Sequence, residues 1–167
     1  MSILLNRIDE RLIHGQILSS WIRKYRVELL VVLDDSLADD PFAQSVFTMA
    51  MSKDVDVLFM ALQPGIRWLQ EHMADQMRTM VLFRNLSSFH RAFHLGYTAE
   101  ALNIGSMIAG PHRKRLTIDV FATAEEIQMM KELLISGVSI QMQVVETETR
   151  TDVAELLSEL EQGGGAR

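Results

Sequence analysis

The stretch VELLVVLDD, residues 27–35, decides the fold class of this chain. Its apolar residues follow one another almost without a break, which is typical of a strand covered on both faces. Strands of that kind occur in parallel sheets that carry helices on each side. The stretch therefore predicts a parallel sheet, and its last two residues, Asp34 and Asp35, mark the carboxyl end of one strand.

On both sides of this stretch, short β-branched runs alternate with longer segments of helical period. Strands are predicted at residues 3–8, 27–33, 55–61, 79–83, 101–104, 116–121 and 138–145. Alternation at this spacing indicates βαβ units. We therefore predict an α/β fold, with an open, mainly parallel, doubly wound sheet and helices on both faces. A single domain is expected over residues 1–162, followed by a flexible glycine-rich tail, residues 163–167.

The helices between these strands carry capping signals at their ends. The signals are Asp40 with Pro41, Ser87 or Ser88 with Gly96, and Thr123 and Glu126 with Gly137. In each set a polar side chain accepts hydrogen bonds from the first turn, or a glycine ends the helix in the left-handed conformation. A last helix is predicted around residues 153–160.

Composition excludes several classes of function. The 167 residues carry a formal charge of −6, which argues against general binding to nucleic acid or to an anionic membrane, since both need a basic surface. Without cysteine, the chain has no disulfide, thiolate nucleophile or Cys-ligated metal. No signal peptide is predicted, and no run approaches the roughly 20 apolar residues of a membrane helix. We expect a cytoplasmic protein without direct membrane insertion.

Chemically active side chains concentrate in RIDERLIHGQ, residues 7–16, between the first strand and a helix. Ligands of open parallel sheets bind beyond the carboxyl ends of the strands, so a site is expected in this loop. His14 is a candidate phosphoryl acceptor, because a neutral imidazole is a good nucleophile near pH 7. Arg7 and Arg11 would bind the transferring group. Gly15 lets the backbone approach an anion at the helix N-terminus.

The residues alone leave alternatives open. A solvated loop histidine explains His14 at least as well, because histidine and arginine are often neighbours. Asp34 and Asp35 could bind Mg²⁺ as in a receiver domain. That interpretation fails, since the third predicted strand lacks an acceptor aspartate and the fifth lacks a lysine. The two acids are otherwise expected to order their loop or to pair with Arg7 or Arg11.

Three further motifs carry weaker signals. The spacing of Gly105 and Gly110 is that of a P-loop without its lysine, although Ser106 could still contact a phosphate. His90 and His94 have the i, i+4 spacing of a zinc pair, but no third ligand accompanies them, so no metal site is predicted. The basic run at residues 112–115 fits a solvated loop or a docking surface for an acidic partner equally well.

The segment RIDERLIHGQI, residues 7–17, resembles the signature of the IIB subunits of the mannose-type phosphoenolpyruvate-dependent sugar phosphotransferase system. The resemblance extends over residues 1–157. It includes VVLDDSLA at residues 31–38, LFRN at residues 82–85 and LNIGSM at residues 102–107. Ser106 is a departure, because glycine or asparagine is commoner at that position.

The resemblance implies that His14 takes a phosphoryl group, on Nδ1, from a phosphohistidine of the cytoplasmic IIA protein. The group then passes to a sugar held by the membrane IIC and IID subunits, and the sugar is met only at this transfer step. Arg7 and Arg11 would hold the phosphoryl oxygens, and Asp9 would orient an arginine or the ring. No cofactor or metal is implied, because the arginines and the helix N-terminus supply positive charge.

The remaining expected contacts are of two kinds. Gly15, Gln16 and Ser106 are expected to bind the phosphate. Arg113, Lys114 and Arg115 are expected to dock the partner.

Two rival functions are weaker. A histidine phosphatase would need an arginine directly before the histidine, where this chain has Ile13. A non-catalytic ligand-binding or regulatory module on the same fold predicts that His14 is never covalently modified.

Overall fold

A computed structural model describes residues 2–163, and its main feature is a seven-stranded sheet in the order β3-β2-β4-β1-β5-β8-β9. The strands of this sheet are β1 Ser2–Asp9, β2 Leu29–Leu33, β3 Asp56–Met60, β4 Arg78–Phe83, β5 Ala101–Ser106, β8 Ser139–Met142 and β9 Thr151–Asp152. All neighbours pair in parallel except β8 with β9. The two remaining strands, β6 Lys114–Arg115 and β7 Phe121–Ala122, form a separate antiparallel hairpin.

Helices cover both faces of the sheet. They are α1 Ile22–Tyr25, α2 Asp35–Ala38, α3 Pro41–Ala50, α4 Leu62–Glu71, α5 Leu86–His94, α6 Ala124–Ile135 and α7 Val153–Glu161, with a π-helical segment Ile17–Trp21 leading into α1. Buried residues of α4 to α7 join one apolar cluster, whereas the π-helical segment and α1 to α3 pack into a second cluster on the opposite face. The open, doubly wound α/β fold in one domain is therefore confirmed.

The predicted helix boundaries agree with the structure except at α5. Asp40 caps α3, with Pro41 in the first turn, and Thr123 and Glu126 form a capping box at α6. The predicted start of α5 at Ser87 or Ser88 is wrong, because the Asn85 side chain accepts from the N–H of Ser88 and the helix begins at Leu86. The last helix ends at Glu161, and most of the predicted tail, residues 164–167, lies outside the described residues.

The strand predicted at residues 116–121 is also wrong. Leu116 and Val120 lie in the connection between β6 and β7, and both side chains are buried. The N–H of Leu116 donates to the carbonyl of Val120 at 2.9 Å. The alternation therefore anchors a loop to the core rather than adding a strand to the sheet.

The direction in which successive strands are added to the sheet changes between two neighbouring strands, β1 and β5. After β1 the chain continues through α1 toward β2 on one side, whereas β5 leads on to β8 on the other. The connections that follow these two strands leave on opposite faces of the sheet. Because the loops that follow the two strands diverge at such a point, an accessible crevice lies beyond the carboxyl ends of β1 and β5. Among the helices of residues 2–163, none is both long and apolar enough to cross a bilayer.

Candidate active site

The carboxyl ends of β1 and β5 bring the predicted polar residues together. Arg7 pairs in register with Asn103, and Asp9 pairs with Ser106 after a shift of register at Ile8. Arg7 and Asp9 are two residues apart on one strand, so both side chains point to the same face of the sheet. Both are fully buried.

Arg7 lies at the centre of a buried hydrogen-bond network. One terminal nitrogen donates to the carbonyl of Gln143 at 2.9 Å and to the side chain of Asn103. The other donates to Asp9 Oδ2 at 2.9 Å and to the carbonyl of Val144 at 3.1 Å. The guanidinium carbon lies 4.8 Å from the ring centroid of Trp21. Burial lowers the pKa of Arg7 to about 10, so the side chain remains a cation at neutral pH.

This placement gives Arg7 a role different from the predicted one. Its exposed fraction is 0 %, and both terminal nitrogens already donate to protein oxygens. The remaining nitrogen, Nε, has no hydrogen-bond partner among residues 2–163 but is buried as well, so a phosphoryl group on His14 cannot reach a donor of Arg7 without movement of the loop. Arg7 instead fixes the position of the Asp9 carboxylate.

Asp9 connects this buried network to the loop above it. Its Oδ1 accepts from the backbone N–H and the Nε of Arg11, both at 3.2 Å. Its Oδ2 lies 3.7 Å from His14 Nε2, in addition to its contact with Arg7. One buried carboxylate thus aligns two arginines and faces the candidate nucleophile. The prediction that Asp9 orients an arginine fits this geometry.

His14 sits on a strained turn. Leu12, two residues earlier, has a left-handed φ of 53°, a conformation that costs a non-glycine residue about 1–3 kcal/mol. The side chain of Leu12 is buried in the core, which holds the turn in place. The turn directs the Leu12 carbonyl at His14 Nδ1, 2.7 Å away. The imidazole is thereby fixed with 18 % of its side chain exposed.

Gln16 and Arg11 border the second ring nitrogen. Gln16 Oε1 lies 3.1 Å from His14 Nε2 and accepts from a terminal nitrogen of Arg11 at 2.7 Å. Arg11 has 41 % of its side chain exposed, so its guanidinium can exchange the Gln16 contact for an incoming anion. The first helical hydrogen bond runs from the N–H of Leu18 to the carbonyl of His14, and the preceding N–H groups of Gly15 and Gln16 lie at the positive end of the helix.

Glu10 ties the loop after β5 to the same site, a contact that the sequence did not predict. It accepts from the backbone N–H of Ile108 at 2.8 Å and from Arg113 at 2.7 Å. Arg113 also pairs with Glu126 at 2.6 Å, and the hydrogen bond that Arg113 donates to Glu10 is the main reason why its pKa is raised. The Arg113 guanidinium is therefore occupied by two carboxylates of the same chain, which leaves few of its N–H groups for a partner. Its neighbours Lys114 and Arg115 are exposed on β6.

Ser106 and the paired acids also lie at the carboxyl ends of strands, Ser106 on β5 and the acids directly after β2. Ser106 is buried beside Asp9, and its carbonyl accepts from the N–H of Glu10 at 3.2 Å. Asp34 pairs with Arg84, and Asp35 pairs with Arg91 at 3.2 Å, so the acids do not bind Arg7 or Arg11. Burial opposes ionisation of Asp34, but hydrogen bonds from Arg84 and Ser36 outweigh it and hold the pKa of that carboxyl below its ordinary value.

Gly105 is a site residue that the sequence analysis missed. A Cβ atom at this position would overlap the Arg7 guanidinium and come within 2.7 Å of Asp9 Oδ2. Only glycine leaves room for the buried pair against β5. The sequence predicted for Gly105 only a weak P-loop-like spacing with Gly110. Nothing in the sequence by itself showed that the Arg7 side chain lies against Gly105.

Comparison with known proteins gives a consistent result. The family model for the PTS system sorbose subfamily IIB component matches residues 3–163. The chain is 30 % identical over 156 residues to the N-acetylgalactosamine-specific phosphotransferase enzyme IIB component 2 of Escherichia coli K12, covering 93 % of this chain and 99 % of that protein. It is 26 % identical to the mannose-specific EIIAB component of the same strain, covering 96 % of this chain and 50 % of that protein.

A solved structure agrees with these sequence matches. The IIB domain of the sorbose permease from Klebsiella pneumoniae superimposes with a TM-score of 0.87 at 26 % identity. The superposition covers 95 % of this chain and 98 % of that one.

The two glycines of the site predict a contrast in stability. Gly105→Ala should lower the free energy of unfolding by about 1–3 kcal/mol or more, because the added methyl group overlaps a packed ion pair. Gly15→Ala should leave stability almost unchanged, since no atom lies within 4 Å of the position of its added Cβ. Urea denaturation of both variants beside the wild type measures the difference. Equal stabilities for the two variants would contradict the assignment of Gly105.

Proposed function

The chain belongs to the PTS sorbose subfamily of IIB components, a family of phosphotransferases in sugar transport, and we propose that His14 is its phosphoryl carrier. In this proposal, His14 receives the group from a phosphohistidine on a IIA protein and gives it to a sugar presented by membrane IIC and IID subunits. The main support is the position of His14. It is partly exposed at the point where the strand order reverses, and Arg11, which Asp9 orients, lies beside it.

Each transfer is a displacement at phosphorus. A lone pair on an imidazole nitrogen of His14 forms the new P–N bond, while the P–N bond to the IIA histidine breaks and its electron pair returns to that histidine. In the second step a sugar hydroxyl oxygen forms a P–O bond while the P–N bond to His14 breaks, and the hydroxyl proton passes to the His14 imidazole, which becomes neutral histidine again. Charge on the transferring oxygens is stabilised by Arg11 and by the N–H groups of Gly15 and Gln16.

The two arginines divide the work between them. Arg11 is the one with an exposed guanidinium, and it replaces its contact with Gln16 by a contact with the phosphoryl group. Arg7 acts as a positioning residue, because it holds Asp9, which in turn holds Arg11. Ser106, buried beside Asp9, belongs to the same supporting layer.

Nδ1, the nitrogen implied by the family resemblance, is hydrogen-bonded to the Leu12 carbonyl in the resting loop. Rotation of the ring about its Cβ–Cγ bond exchanges Nδ1 with Cδ2 and releases it from that carbonyl. We assign this rotation to the arrival of the donor protein. The resting contact would then keep the nucleophile inactive until a partner docks.

The proposed partners follow from the same family membership. The E. coli mannose-specific protein carries IIA and IIB in its name, which supports a IIA protein as the donor. The named relatives act on N-acetylgalactosamine, mannose and sorbose, so family membership alone does not select one sugar. We place the chain in the cytoplasm, beside the membrane subunits.

The first prediction concerns the carrier residue. After incubation with phosphoenolpyruvate, the two general phosphotransfer proteins and a mannose-type IIA, the intact mass should increase by one phosphoryl group. The adduct should be acid-labile and alkali-stable, and it should be absent from His14→Ala. His112→Asn, which removes a different exposed loop histidine, should still be labelled. A wild type that stays unlabelled with a cognate IIA would favour the binding-module alternative.

Arg11→Ala should slow transfer from phospho-IIA to His14 by about 10²- to 10³-fold, because it removes a donor that stabilises transition-state charge. Rapid-quench measurement of a single turnover gives the rate. Arg11→Lys should recover part of it, since the charge remains but the bidentate geometry does not. A wild-type rate in Arg11→Ala would remove Arg11 from the site.

The exposed basic residues Lys114 and Arg115 should dock the IIA protein. Replacing both by alanine should raise the KM for phospho-IIA at low salt without changing kcat, and the difference should shrink as salt screens the charges. The matched control replaces two exposed cations elsewhere, Lys53 and Arg67. A salt-independent defect, or an equal defect in the control, would count against docking at β6.

A further inference from the structure

Three metal-ligating side chains converge on the outer surface where α5 and α6 are neighbours. His90 and His94 are four residues apart on α5, and Glu132 is on α6. His90 Nε2 lies 3.2 Å from His94 Nε2 and 2.9 Å from Glu132 Oε2. One ligand atom from each residue lies within 4.8 Å of the others. The sequence analysis found the two histidines but not the third ligand, because Glu132 is 42 residues from His90 along the chain.

Hydrogen bonding alone satisfies this cluster poorly. If His90 Nε2 carries a proton and donates it to Glu132, His94 Nε2 can only share that same proton. If His94 Nε2 donates to His90 instead, the Glu132 oxygen faces a lone pair at 2.9 Å. Either arrangement leaves one close contact without its own proton. A single cation between the three atoms removes the conflict, because it accepts a lone pair from each.

We propose that His90, His94 and Glu132 bind one divalent transition-metal ion, with Zn²⁺ as the best match. Two imidazole nitrogens and one carboxylate oxygen are a known zinc ligand set with a fourth position for water. At typical Zn–ligand distances of roughly 2.0–2.1 Å, the two observed separations correspond to ligand–metal–ligand angles of about 90–100°. The His94 and Glu132 ligand atoms lie within 4.8 Å of each other, and Glu132, which is 48 % exposed, has room to adjust its distance to His94.

The neighbouring residues support this geometry. Gln128, one turn before Glu132 on α6, lies with its amide nitrogen 3.5 Å from Glu132 Oε1, so it can orient the carboxylate from outside the site. The rings of His90 and His94 lie at 77° to each other, which lets both nitrogens point at a common centre. The ion would link two helices that pack on the same face of the sheet. The site is separate from His14, because α5 leads away from the sheet edge that bears His14.

The test is a titration of the full chain with ZnCl₂ after treatment with a chelator. Calorimetry should show one ion per chain for the wild type and for His14→Ala, which removes the other histidine that faces a carboxylate. His94→Gln and Glu132→Gln should each weaken binding by at least tenfold, since even outer-shell changes cost roughly 10- to 100-fold. His112→Asn, the matched loss of an exposed histidine elsewhere, should bind like the wild type.

Two further readouts complete the experiment. A Zn²⁺ concentration 100 times the Kd should raise the wild-type Tm by about 5–10 °C, whereas Mg²⁺ and Ca²⁺ should not, because they prefer oxygen ligands. Co²⁺ should give visible absorption bands that His94→Gln lacks. Equal Zn²⁺ binding by the wild type and His94→Gln, or its loss in His14→Ala, would overturn the proposal.

Discussion

The buried ion pair between Arg7 and Asp9 is the interaction on which the rest of the site depends. Both side chains are inaccessible to solvent at the end of the central strand β1. An isolated charge in such a place is costly, and removing one partner of a buried pair typically costs about 3–5 kcal/mol. The surroundings offset this cost through Asn103, the carbonyls of residues 143 and 144, and the face of Trp21. The pair therefore depends on side chains of β1 and β5, on the backbone just after β8 and on Trp21 of the π-helical segment.

The consequence for chemistry is a fixed carboxylate beneath a partly exposed histidine. Asp9 holds Arg11, which shares the Gln16 amide oxygen with the ring, and the strained turn at Leu12 hydrogen-bonds the other ring nitrogen. The phosphoryl carrier that we propose needs this combination of a positioned nucleophile with an accessible face, because the donor protein and the sugar-bearing partner would both have to reach the same nitrogen. Rigidity below the loop and exposure above it meet both requirements.

Charged residues also join the separate loops that surround the site. Glu10 connects the first loop to Arg113 and, through Arg113, to Glu126 at the start of α6. Asp34 and Asp35 bind arginines from the β4–α5 region and hold the next loops along the edge. These ion pairs give the basic run at residues 112–115 two functions. Arg113 joins two loops of the fold, and Lys114 and Arg115 are exposed on the surface, where we propose that a partner docks.

The sequence by itself determined the fold class, most of the strands and the loop that contains His14. Continuous apolar runs, capping residues and the order of elements are local signals, and local signals are present in the chain before it folds. The two errors in the fold, at residues 116–121 and at the start of α5, arose where a local pattern had two solutions. An apolar alternation also fits an anchored hairpin, and Asn85 competed with two serines for the cap.

Only the tertiary structure decided what each polar residue does. Arg7 and Arg11 look alike in the sequence, yet Arg7 is buried against Gly105 of β5 whereas Arg11 reaches solvent. Gly105 matters because a side chain from another strand lies against it, and Glu132 meets His90 across two helices. These roles depend on contacts between residues far apart in the chain. Burial and distance are set by packing, and no short stretch of sequence contains that information.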